Sequence, residues 1–215
     1  MKLISILLVT IFIGCGPRIF DKSRMHLAKK SFDLNNVSFE IDGYYFTQII
    51  YKQGENYSLD VEYGTGDKCG LMVMIFYSDG FIKKSDFVYG TCLCNSEESK
   101  KMAVLNAKEE VQKSMLNKSF NVNDVKKIWD WGMYEQDGND LLIQYYYNHY
   151  GNYNLINYRG KVIDGSTLIL NEKSGDKRPY KKVKSENDGE KYLFQRFWIK
   201  PDSTNYIREN LNEFG

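Results

Sequence analysis

The sequence predicts a mainly β protein: an antiparallel meander forming a barrel or curled sheet, with one inserted α-helix and a short C-terminal helix. Three observations carry this. Apolar residues recur with a period of two in most stretches between residues 44 and 199, as in strands that bury one face. Turn dipeptides fall between those stretches, at Asp79-Gly80, Asp137-Gly138, Tyr150-Gly151 and Asp164-Gly165. None of the three prolines, at 17, 179 and 201, lies inside a candidate strand.

The N-terminus is of a different kind. Lys2 precedes an apolar run from Leu3 to Ile13, which as helix would reach roughly 16 Å, about half a bilayer's hydrocarbon core. That length suits a signal-peptide core rather than a membrane span. The run closes on Phe12-Ile13-Gly14-Cys15, which resembles the lipobox of bacterial lipoproteins, with Phe12 where the family usually has Leu. The resemblance implies cleavage before Cys15 and a diacylglyceryl thioether on its Sγ, so that residues 1–14 are a signal and Cys15 carries the lipid. Two or three acyl chains would hold the protein stably, at about 0.8 kcal/mol per buried methylene. Gly16, rather than Asp, follows Cys15. By resemblance to lipoprotein sorting this points to the outer membrane, with the domain facing the periplasm.

Residues 15–38 then read as a lipidated tether. Gly16-Pro17 opens it, and Arg18, Lys22, Arg24, Lys29 and Lys30 make it basic, either as a solvated spacer or as a segment drawn to anionic headgroups. A single β-rich domain is expected over 39–215. Its first strands are 44–52 and Tyr57-Ser-Leu-Asp-Val-Glu-Tyr63, which alternates without error. Leu71–Ser78 and Phe81–Tyr89 flank Asp79-Gly80, which fits a two-residue type I′ hairpin. A helix is expected from Ser96 to Asn117, with Asn95 as N-cap, Glu98 at N3, and Val104, Ala107, Val111 and Met115 on its buried face.

Strands return at 129–135, 141–149, 153–162, 166–171 and 191–199. Residues 175–190 read as a polar loop. Asp202-Ser203-Thr204 can cap a last helical segment that buries Ile207, Leu211 and Phe214. The order Trp131-Gly-Met-Tyr134, turn, Leu141-Leu-Ile143, then Gly160-Lys-Val-Ile-Asp-Gly-Ser-Thr-Leu-Ile-Leu170 resembles the second half of small lipocalin-like lipoprotein domains. The helix interrupts the meander of that family, so a closed barrel, a sandwich and an open sheet wrapped around the helix all remain open.

Charge excludes a global nucleic-acid field. Without Lys2 the chain carries 28 basic and 28 acidic residues. No catalytic, metal or cofactor motif is found. The two histidines, His26 and His149, stand far apart in sequence, and Cys92-Leu93-Cys94 is one residue short of a zinc knuckle. Gly64–Gly70 runs into a strand rather than a helix N-terminus, unlike a phosphate loop. Asp137–Asp140 and Glu186–Glu190 lack the EF-hand ligand order.

The aromatic residues are the candidate binding elements, with Trp129, Trp131, Tyr145 and Tyr147 lining a pocket between meander strands. Tyr145-Tyr146-Tyr147 must place rings on both faces of its strand. A disulfide between Cys69 and Cys92 is expected in an oxidising compartment, with Cys94 as rival partner. The expected partners are therefore the membrane, through the lipid anchor, and either a small apolar ligand, glycan or peptide or an envelope protein. A non-enzymatic binding module and an interaction or immunity-type lipoprotein are the leading readings. An apolar cavity would favour the first, and a filled core with an aromatic patch the second.

Overall fold

The structure, a computed structural model, describes residues 22, 25–29, 37–51, 67–85, 88–93, 96–121, 128, 130–149, 152–175, 179–183 and 189–214. The signal, Cys15, the strand expected at 57–63, Cys94, Trp129 and the Tyr150-Gly151 turn lie outside these residues.

The described strands are β1 (Gly43–Tyr51), β2 (Lys68–Phe76), β3 (Phe81–Lys84), β4 (Val88–Leu93), β5 (Trp131–Asp137), β6 (Asp140–His149), β7 (Asn152–Asp164), β8 (Thr167–Ser174), β9 (Lys181–Lys182) and β10 (Glu190–Arg196). Eight of them close on themselves in the order β1-β10-β8-β7-β6-β5-β3-β2, with β2 pairing back to β1, and every pairing is antiparallel. Of the alternatives left by the sequence, the closed barrel is therefore the one formed. Closure removes the exposed edges an open sheet would present. Strand β4 pairs with β2 beyond the end of β3, and β9 pairs with β8.

Alternation then sorts the side chains into two cores. Inside the barrel lie Tyr45, Met74, Phe76, Ile82, Tyr134, Leu141, Ile143, Tyr145, Tyr158, Val162, Leu168, Leu170 and Tyr192, with Phe39 as a plug, each no more than 5% exposed. Phe39 sits edge-on to Phe76 at 4.9 Å and to Tyr45 at 5.8 Å. The segment around it is pinned across this end of the barrel, as Glu40 N donates to Gly165 O and Ser38 N to Gln136 Oε1.

The second core lies on the outer wall. Helix α1 (Glu97–Leu116) covers Tyr44, Phe46, Leu71, Val73 and Ile75 with Ala107, Val111 and Met115. Strand β2 is accordingly buried on both faces. The first turn of α1 departs from expectation. Ser96, not Asn95, is the N-cap, and it exchanges hydrogen bonds with Ser99 in a capping box. Ala103 joins the buried face while Val104 is half-buried. Small Ala103 and Ala107 let this end of the helix approach the sheet closely.

Other corrections share a cause in long-range contacts. The β2–β3 turn has three residues, Ser78-Asp79-Gly80, rather than two. Gly80 alone takes a positive φ of 84°, and Tyr77 N donates to Phe81 O. Asp79 is engaged by Ser203 and Arg208 from the C-terminal segment, and the register runs through Phe76↔Ile82. At the C-terminus Asn205 caps the helical turn α2 (Tyr206–Glu209), while Leu211 stays 38% exposed beside buried Ile207 and Phe214.

Part of the segment expected as a tether packs on the barrel. Residues 26–29 form a 3-10 turn, and Met25 and Leu27 are buried in the outer core. Leu27 N donates to Gln144 Oε1, and Gln144 Nε2 donates to His26 Nδ1 and to Asn157 Oδ1. Lys22 is held by Glu213 and by the Tyr206 hydroxyl. Among the described residues, packing on the barrel already includes Lys22, ahead of residue 39.

Candidate functional site

The three described candidate pocket residues, Trp131, Tyr145 and Tyr147, do not converge. Trp131 pairs with Lys83 on β3 and faces the outer core, fully buried, under the Lys83 ammonium at 4.9 Å. Tyr145 pairs with Gly132 and faces the interior. Tyr147 is 40% exposed near the end of β6. Trp131 and Tyr145 thus lie on opposite sides of the wall. Tyr146, the ring that alternation turns outward, is covered by the outer core, with Phe214 6.5 Å away.

One half of the barrel interior is polar. The rings of Tyr145 and Tyr158 stack at 6.1 Å, and the two side chains share a hydrogen bond. Tyr192 donates to Glu190 Oε2 at 3.0 Å. The Lys84 ammonium lies 5.4 Å from the Tyr145 ring, and that of Lys173 5.3 Å from the Tyr158 ring. Burial is the main cause that pushes the phenols of Tyr145, Tyr158 and Tyr192 well above the ordinary tyrosine range, with the Glu190 carboxylate adding to it. At neutral pH these groups are hydrogen-bond donors, not bases or nucleophiles. With exposures of 3%, 2% and 0% they fill the space they surround.

The surface is indented in at least three places. A groove of about 680 Å³ runs between β1 and α1, floored by Ile50, Val104 and Leu105 and edged by Glu97, Lys100 and Lys101. A second, of about 560 Å³, crosses the outer face of β5 to β8 and mixes Glu135, Asp137, Asp140 and Glu172 with Arg159 and Lys161. The third, about 360 Å³, opens beside β9. Its floor is Ile156, Gly175, Pro179 and Val183, and its rim is Lys173, Lys181 and Lys182. By sequence, most of this last site falls in the stretch 175–190 expected as a polar loop. Its signal was the spacing of Lys173, Lys181 and Lys182 around Pro179-Tyr180.

Large apolar side chains also stand in solvent at the Phe39 end of the barrel. Trp198 is 72% exposed and stacks under the Arg196 guanidinium at 5.3 Å. Ile163, Leu193 and Ile199 are exposed as well. Leu193 is paired on one side with Thr167 and on the other with Phe46, so it continues the apolar row that α1 covers further round the wall.

Cys69 is disulfide-bonded and fully buried against Ala103. The ladder pairs Gly70 with Tyr89 and Lys68 with Leu93. Gly90, Thr91 and Cys92 therefore bulge opposite the single residue Cys69. The side chains of 89–93 lie outside the described residues.

Among the described residues, no group of three or more His, Cys, Asp or Glu is placed to hold a metal ion, and no helix is long and apolar enough to cross a membrane. Comparison of the chain with protein-family models, with curated proteins and with solved structures finds no match.

Proposed function

We propose that this chain is a lipid-anchored envelope protein that acts without catalysis, through a protein contact on the outer surface at the Phe39 end of its barrel. The filled interior carries this reading. A barrel that holds a small apolar ligand needs an empty, apolar lumen. Here the described interior positions are occupied by rings and aliphatic side chains no more than 5% exposed. What remains available is the surface, and there Trp198 with Arg196 combines the two residue types that most often dominate contact energies. The anchor belongs to the same proposal. A thioether lipid on Cys15 would hold the barrel at the outer membrane, facing the periplasm.

Site-specific photocrosslinking in the native host tests the contact. A photoreactive phenylalanine at Trp198 should give one discrete protein adduct. The same probe at Lys113, exposed on α1, should not. Equal labelling from both sites, or a stoichiometric small molecule retained by the native protein in mass spectrometry, would defeat the proposal. Radiolabelled palmitate entering the wild type but not Cys15→Ser checks the anchor separately.

A further inference from the structure

The cleft beside β9 differs from the other two in charge and in place. Lys173, Lys181 and Lys182 edge it, all exposed. Arg159, Lys161 and Lys191 stand on the neighbouring strands, also exposed. Arg159 and Lys161 also border the second groove, with Glu135, Asp137 and Asp140, and Glu172 and Glu190 stand nearer the cleft. Glu172 is 3.8 Å from Arg159 and lies opposite Lys182 in the ladder, and Glu190 accepts the hydrogen bond of buried Tyr192. Among the described residues the lining of the cleft holds three cations and no carboxylate, in a chain that is nearly neutral. The floor is apolar, with Ile156 and Val183 packed against the inner core. The Arg159 guanidinium lies 3.9 Å over the Tyr180 ring and ties the β9 strand to β7. The site is thus built of fixed elements with an apolar base and a cationic edge.

Its position links it to the N-terminus. Leu27 N donates to Gln144, Gln144 donates to Asn157, and Asn157 Nδ2 donates to Ser174 Oγ, next to Lys173. The chain leading back to Cys15 is therefore pinned beside the strands that carry the cleft. Six residues, 16–21, separate Cys15 from Lys22, and seven steps of extended chain reach at most about 25 Å. An anchor at Cys15 would hold Lys22 within that distance of the bilayer, on the barrel whose strands carry the cleft.

We infer that the cleft docks on anionic phospholipid headgroups, with Lys173, Lys181 and Lys182 meeting the phosphates and the glycerol and first acyl carbons lying against Ile156, Pro179 and Val183. The inference rests on the anchoring reading for its geometry, and on the charge and shape of the cleft for its chemistry. Each cation brought to an anionic surface strengthens binding by about fivefold, and that gain falls with salt.

The test uses the full acylated protein in nanodiscs of phosphatidylcholine alone or with phosphatidylglycerol, read by hydrogen exchange. Amides of residues 171–175 and 179–183 should exchange at least about fivefold more slowly in phosphatidylglycerol discs, the factor of one lysine contact. High salt and the triple variant Lys173→Glu, Lys181→Glu, Lys182→Glu should each abolish the difference, and Lys101→Glu with Lys113→Glu on α1 should not. Equal exchange in both lipids would overturn the inference, as would equal loss with the α1 reversals or release of the protection by inorganic phosphate at matched ionic strength. Failure of the protein to enter phosphatidylcholine discs at all would instead refute the anchor, so the two failures are separable.

Discussion

Alanine at Gly132 should be among the most damaging single-methyl changes in the barrel. A Cβ there would sit 2.0 Å from the Gln144 carbonyl oxygen, 2.5 Å from Tyr145 Cβ and 2.7 Å from Tyr145 Cα. Ordinary contact begins near 3.4 Å, so the clash exceeds 1 Å, and two of the three atoms are backbone of the neighbouring strand. No rotamer change relieves that; β5 and β6 must separate where Gly132 pairs with Tyr145. Overpacking of a well-filled core costs about 1–3 kcal/mol, and a backbone clash belongs at the upper end. At about 2–4 °C per kcal/mol for a domain of this size, the midpoint should fall by about 6–12 °C. Two glycines serve as controls. Gly138 has no atom within 4 Å but a φ of +58°, so alanine should cost about 1–2 kcal/mol. Gly165 has nothing nearer than 3.9 Å and no positive φ, so alanine should change stability by about 0.5 kcal/mol or less, or raise it slightly. Thermal unfolding by near-ultraviolet circular dichroism, with urea titrations alongside, gives the ranking. A Gly132→Ala midpoint no lower than that of Gly138→Ala would refute the reasoning. Gly43 and Gly160 share this geometry, each placing a Cβ within about 2.2 Å of a neighbouring carbonyl oxygen; alternation puts all three on the inner face, where close strand approach lets eight strands curl into a ring.

Two further outcomes are expected. Cys69 should prove bonded to Cys92, so that Cys92→Ser lowers the midpoint as much as reductant does while Cys94→Ser leaves it unchanged; a closed loop of this length contributes about 3–4 kcal/mol in the chain-entropy model, and a peptide map joining Cys69 to Cys94 would contradict it. Alkali should unfold the domain cooperatively. Burial raises the phenols of Tyr45, Tyr134, Tyr145, Tyr158 and Tyr192 in the native state, whereas unfolded tyrosines ionise near 10. Their contribution is therefore complete below about pH 10 and is lost as pH rises through the native values. Tyrosinate absorbance from these residues should appear only with the loss of near-ultraviolet dichroism, and smooth titration near pH 10 of an intact fold would show the rings to be accessible.

Local chemistry by itself determined most of the described strands, most of the turns and the helix, although the stretch read as one strand from Phe81 to Tyr89 divides into β3 and β4. The period of two survives because each strand faces one apolar and one differently covered side, and Gly138 and Gly80 mark turns because only glycine takes positive φ freely. The helix was legible at Val111 and Met115 because the sheet beneath it is continuous, yet its cap is Ser96, one residue beyond Asn95, because the Ser99 hydroxyl at N3 completes a capping box there. What sequence could not decide was which face of each strand looks inward. Trp131 and Tyr145 read alike as strand aromatics, but closure through the β1–β2 pairing puts one outside and the other inside. Nor could it place Met25 and Leu27, two apolar residues in a basic stretch too sparse to show a period, which join the core where Gln144, more than a hundred residues away, accepts the Leu27 N–H. The three-residue turn at Asp79 likewise reflects Arg208 and Ser203 arriving from the far end of the chain. Alternation is a local consequence of backbone geometry, whereas inside and outside are defined only once distant strands have met.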